Sequence, residues 1–194
     1  DGGETLWCDY PGFVMYYDSP QYDAGGLMWD FVGSDYMWLA PLMEHPTNPE
    51  KCYIGGGGIS GGYHLIELSA EGWSITHDEM PFNFDSEVSA MAYSSIDPTI
   101  YYVLTYSGAF YYSFDSGNSW DQTAGFSGPG PQYFYGSTIY PSTIEVNKVV
   151  IGGSGYSNPP VYMSENFGES FIPMHIGLPS TLVYGITGNS EGDL

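Results

Sequence analysis

Five carboxylates, Asp35, Asp78, Glu79, Asp85 and Glu87, are of the type that could do acid–base work. Glycosidic hydrolysis needs two such groups facing each other across a cleft, one held protonated. His77, Asp78 and Glu79 form a small polar cluster, whereas His45, His64 and His175 are scattered with no H-x-x-x-H spacing. Solvated loop positions are the expected role of all five acids, and surface loops that of the histidines. Cys8 and Cys52 lie outside any C-x-x-C or Cys/His pattern, so zinc is not suggested. One disulfide in a secreted protein would account for the pair, and two buried unpaired thiols would account for it equally. A nucleophile elbow, a phosphate loop and a dinucleotide fingerprint are all missing from their proper contexts. The oxygen-rich acidic loops suit calcium, but no Asp-x-Asp-x-Asp run localises an ion, and no cofactor is assigned.

The sharpest pattern runs through Ser113, Asp115, Gly117 and Trp120. A short carboxylate that bonds the backbone just after it makes an Asx-type turn, and Gly supplies a positive φ. The Trp ring is expected to bury beside the next repeat unit. A weaker copy places Ser164, Asn166, Gly168 and Phe171 at the same spacing. Residues 64–73 read as a compressed copy, and Asp23, Ala24 and Gly25 with Trp29 as a degenerate one. These residues are expected to hold a fold and not to form an active site.

The elements that carry these turns recur along the chain. A turn followed by a short apolar strand starts near Lys51, Ile100 and Lys148, at spacings of 49 and 48 residues. The two box-like patterns stand 51 residues apart. Gly-, Pro- and Asn-rich breaks between aromatic and β-branched runs, with 18% aromatics, argue for an all-β protein. A period near 50 with about four short strands per unit is the signature of a β-propeller blade. The expected units are 36–87, 88–135 and 136–180. Segment 1–35 holds outer strands of a preceding blade, near 12–17 and 27–32, and 181–194 supplies the first strand of a next one. About three and a half blades do not close a ring, so the chain is expected to be a segment of something longer. The run Gly55–Gly58 is expected to be a flexible blade turn.

With these motifs the chain resembles the Asp-box propeller superfamily, which includes sortilin-type receptors, sialidases, xyloglucanase-type glycosidases and secreted bacterial repeat proteins. Residues 113–120 carry the resemblance most specifically. The segments 128–136, 152–162 and 177–183 are similar to blades of large secreted Bacteroidetes-type proteins, many of which bear a sorting domain for type IX secretion. The resemblance implies a propeller fold, a secreted or cell-surface location and a place in a larger chain. It argues against sialidase chemistry, which grips a sugar carboxylate with an arginine triad, because Arg is lacking. In xyloglucanase-type members one catalytic Asp precedes a Gly-Gly-x-Tyr-like strand. The nearest match, residues 57–63, has Gly58 or Ile59 at that position.

Charge narrows the partners. Asp plus Glu number 23, an ordinary share, while Lys51 and Lys148 are the only Lys or Arg, for a net charge of −21. Nothing here could neutralise phosphates, which argues against nucleic acid and anionic membranes. No run of 18 apolar residues suggests a membrane span. Aromatic loops at 129–135 and 156–162 mix Tyr, Phe, Pro and Asn, as glycan- and peptide-binding surfaces do, although such rings also fill the space between blades. The expected function is a secreted or cell-surface recognition or structural module that binds glycan or protein. A glycoside hydrolase with its catalytic pair partly outside the segment is the alternative.

Overall fold

A computed structural model describes residues 5–18, 26–31, 33–131, 136–174, 176–189 and 191–192. Among them are 15 strands and no helix. Sheet 1 runs β1 (Thr5–Tyr10), β2 (Phe13–Asp18), β3 (Leu27–Asp30). Sheet 2 runs β4 (Leu42–Glu44), β5 (Lys51–Ile54), β6 (Ile66–Glu71), β7 (Ser74–Glu79). Sheet 3 runs β8 (Val88–Tyr93), β9 (Tyr101–Thr105), β10 (Phe110–Ser113), β11 (Asp121–Gln122). Sheet 4 runs β12 (Thr138–Pro141), β13 (Val149–Gly152), β14 (Val161–Ser164), β15 (Ile172–Pro173). Every pairing is antiparallel between sequence neighbours. The first strands of successive sheets approach one another, β1 to β4, β4 to β8 and β8 to β12. Four antiparallel sheets fanned about their first strands are the blades of a partial β-propeller.

The apolar cores lie between the sheets. Val14 and Trp29 of sheet 1 pack with Cys52, Ile54, Ile66 and Leu68 of sheet 2. The other face of sheet 2 supplies Met43, Tyr53 and Leu65 against Tyr101, Val103 and Tyr111 of sheet 3. Tyr102, Leu104 and Phe110 of sheet 3 then meet Val149 and Ile151 of sheet 4. All five positions of β9 are buried, because odd residues face one neighbouring sheet and even residues the other. Burying such side chains contributes roughly 1.5–3 kcal/mol each and ties every sheet to the next.

Several expectations are corrected. Sheet 1 has three strands; β1 joins the two expected there, with Trp7 tilted against Tyr16 at 4.7 Å between ring centroids. The compressed copy at 64–73 is a tight hairpin: Glu71 pairs with Ser74 and Gly72 takes φ +58°. Trp73, at its tip, is 82% exposed. The strand expected in 181–194 is reduced to one bridge, Leu182 to Ser154, with Val183 and Ile186 against Gly152 on the outer face of sheet 4. The degenerate pattern at Asp23–Gly25 and most of the 129–135 loop lie outside the described residues.

Cys8 and Cys52 are free thiols and form no disulfide. Directly paired residues share a face of an antiparallel sheet, and Cys8 pairs with Met15 while Val14 points into the core that holds Cys52. Cys8 therefore sits on the far side of sheet 1, and burial pushes the Cys52 thiol up, away from its reactive form. The run Gly55–Gly58 is buried and closely packed, not a flexible turn. Gly57 has φ +69°, and a Cβ there would collide with the Ser34 carbonyl; Ser34 and Gly58 bridge across this contact.

Candidate functional site

The two box-like turns share one frame. Ser113 Oγ accepts from the N–H of Asp115 (3.2 Å) and of Gly117 (2.9 Å) and donates to Asp115 Oδ1. Ser119 donates to the Asp115 carboxylate through its backbone N–H and its hydroxyl. These bonds hold that carboxyl below its ordinary range, the Ser119 hydroxyl being the largest cause. Ser164 accepts from Asn166 and Gly168 in the same way, and Ser170 N–H bonds Asn166 Oδ1. Ser116 and Phe167 take φ near +60° before Gly117 and Gly168. The rings face the preceding sheet and not the next: Trp120 packs on Phe84 (5.3 Å) and Phe171 on Phe110 and Phe126. Trp120 lies on the face of sheet 3 that carries Tyr101, Val103 and Tyr111, which is the face turned to sheet 2. Asp115 spends both oxygens inside its turn, and among the described residues no three His, Cys, Asp or Glu side chains cluster as metal ligands.

At the opposite ends of these strands, three of the five acids accept hydrogen bonds. Glu79 ends β7 and accepts from Ile59 N–H, with His64 Nε2 3.9 Å away. Asp85 accepts from the hydroxyls of Ser107 and Tyr111. Asp35 takes φ +62° and accepts from Ser34 Oγ. Asp35 and Glu79 thus border the same 57–59 segment, while Asp78 faces outward on β7. The histidines are also engaged. His64 Nδ1 donates to the Met80 carbonyl, and His77 Nδ1 accepts from Trp29 Nε1 across two sheets. His175 lies outside the described residues.

His45 does something the sequence did not reveal. In sheets 3 and 4 the first strand ends on a buried serine that accepts two backbone N–H groups: Ser94 from Ile96 and Asp97, Ser142 from Ile144 and Glu145. In sheet 2 the same place holds His45, whose Nδ1 accepts from Thr47 (3.2 Å) and Asn48 (3.1 Å). The surrounding backbone bonds are equivalent: Lys51, Ile100 and Lys148 each donate to the residue three before them. An Nδ1 that accepts twice carries no proton, so this imidazole is neutral with its hydrogen on Nε2. Burial lowers its pKa first, Lys51 adds to that, and Glu67 opposes them. The ring stacks on Tyr53 at 5.6 Å.

This turn forms one wall of a groove of about 880 Å³. Its floor and walls come from the ends of β4, β8 and β12, with Thr5, Leu6 and Trp7 of β1 closing one side. Trp7 and Tyr93 supply rings, Pro46, Pro49 and Pro141 apolar walls, and Glu44 the carboxylate. Trp7 Nε1 donates to the Pro49 carbonyl, and Tyr93 donates its hydroxyl to Glu44 Oε1 at 2.7 Å. Burial first, and the Glu44 bond second, push Tyr93 up to about 12, so it stays a neutral donor. No sequence motif marks this groove, since it joins the ends of three strands about 48 residues apart.

No protein-family model and no curated protein matches the chain. Solved structures do. An ancestral GH74 enzyme aligns at a TM-score of 0.54 and 15% identity, covering 88% of this chain and 24% of its own. The β-propeller domain of Cps50 (Swd1) from Myceliophteria thermophila aligns at 0.52 and 8%, covering 82% of this chain and 47% of its own. A GH74 enzyme of Niastella koreensis aligns at 0.49 and 18%, covering 88% and 24%. The chain spans about a quarter of the GH74 enzymes and about half of the propeller domain. The first two likenesses support the propeller fold.

Proposed function

We propose that the chain is a recognition module of a secreted or cell-surface protein, binding an extended glycan or protein segment in the groove beside its first strands. The groove carries this reading. Its volume lies within the usual range for ligand sites, and it combines ring faces and prolines with a few polar groups. The box-like turns, whose side chains are spent within their own hairpins, serve as scaffold in this reading. Screening the 194-residue chain against glycan and peptide arrays tests it, with Thr143→Trp as an exposed plug of the groove. Binding that the plug abolishes is the expected result; no binding to either array leaves a structural role.

A glycoside hydrolase is the second reading, favoured by the placement of Asp35 and Glu79 beside the same 57–59 segment. Sugar release from β-glucans that disappears in both Asp35→Asn and Glu79→Gln would replace recognition with catalysis.

A further inference from the structure

We infer that the groove takes a basic polypeptide segment, an arginine or lysine side chain lying along its aromatic and proline wall with its charge at Glu44. This rests on the groove being a recognition site and names its ligand class. The first ground is the supply of hydrogen bonds. Four donors at the groove are spent internally, Thr47 and Asn48 N–H on His45, Trp7 Nε1 on Pro49 and the Tyr93 hydroxyl on Glu44, while the same turn keeps the His45 hydrogen on Nε2. Glu44 is the carboxylate at the groove, and a carboxylate accepts more than the single donor that Tyr93 supplies. A guanidinium or ammonium brings donors together with the opposite charge, which suits that carboxylate better than a neutral glycan hydroxyl.

Charge gives the second ground. The chain carries −21, and both of its cations are engaged, Lys51 with Glu67 at 2.5 Å and Lys148 with Glu145 at 2.9 Å. Neither lines the groove, whose ionisable groups are Glu44, the neutral His45 and the neutral Tyr93. An approaching cation meets no repulsion there and is steered by the field of the whole molecule. The ring faces of Trp7 and Tyr93 add a cation–π surface, and the prolines cover the apolar stem of a long basic side chain.

The test is fluorescence anisotropy at 150 mM salt with three labelled probes: an Arg- and Pro-containing nonapeptide, the same peptide with citrulline for arginine, and a neutral β-glucan oligosaccharide. The arginine peptide is expected to bind, and the citrulline version about fivefold or more weaker. Glu44→Gln should weaken the arginine peptide about fivefold, while Glu169→Gln, an exposed carboxylate outside the groove, changes it less than about twofold. Equal losses in the two variants would trace the attraction to net charge and overturn the assignment, as would equal binding of the citrulline peptide. Binding of the oligosaccharide alone overturns the basic ligand but leaves the recognition reading standing. If no probe binds, both fall. Both substitutions are exposed isosteres, and circular dichroism confirms that each variant is folded.

Discussion

Sheet 2 and the two sheets that follow it, sheets 3 and 4, are built on one plan and diverge at two turns. After the first strand, sheets 3 and 4 use a serine hydroxyl to cap the turn, and sheet 2 uses the His45 imidazole. Between the third and fourth strands, sheets 3 and 4 insert the turns at 113–120 and 164–171, and sheet 2 makes a tight hairpin at Gly72. The backbone tolerates both changes because the strand pairing and the packing of alternate residues between sheets do not depend on them. What changes is chemistry. Sheets 3 and 4 pack a half-buried ring beside the preceding sheet, whereas sheet 2 exposes Trp73 and places a titratable acceptor in the groove wall.

Ring removal separates these regions most strongly. Phe171→Ala should cost about 2–4 kcal/mol in urea unfolding, because Phe171 packs on both Phe110 and Phe126. Trp73→Ala should stay within about 0.5 kcal/mol at its 82% exposed position. Comparable losses would mean that the sheet 2 hairpin also packs against a neighbour. The next largest effect is expected at the serines. Ser113→Ala and Ser164→Ala each strand two backbone donors and should cost about 1–3 kcal/mol by the same measurement. Asp115→Asn is gentler, since Asn166 shows that an amide holds the same frame; a change under about 1 kcal/mol at neutral pH is expected.

The smallest effect is the most specific. The folded state depresses the pKa of His45, so the stability from its turn is present above the ordinary imidazole value of about 6.5 and is lost as pH falls below it. His45→Ser, which copies Ser94 and Ser142, should flatten that acid-side decline in thermal melts between pH 7.5 and 5. An unchanged pH profile would place the titration elsewhere.

The sequence made the repeat legible because each turn precedes a short apolar strand at a near-constant interval, and β5, β9 and β13 begin where that interval puts them. The box-like turns were legible because Ser, Asp or Asn and Gly have local bonding duties that do not wait for tertiary structure. Three features were hidden, each because it depends on contacts between sheets. The direction in which Trp120 and Phe171 bury follows from which face of the sheet meets which neighbour. The sequence leaves Cys8 and Cys52 equally open to pairing or to standing as free thiols, and only the register puts them on opposite sides of sheet 1. The groove is assembled from strand ends far apart in sequence, and nothing about His45 alone reveals that it stands in for serine.

β9 has a further consequence in time. It is buried at all five positions and carries a full core on each side, so freeing its amides means parting sheet 3 from both sheet 2 and sheet 4. In deuterated water its N–H groups should be the last to exchange, at the rate of global opening, long after those of β11 and β15, whose residues are exposed.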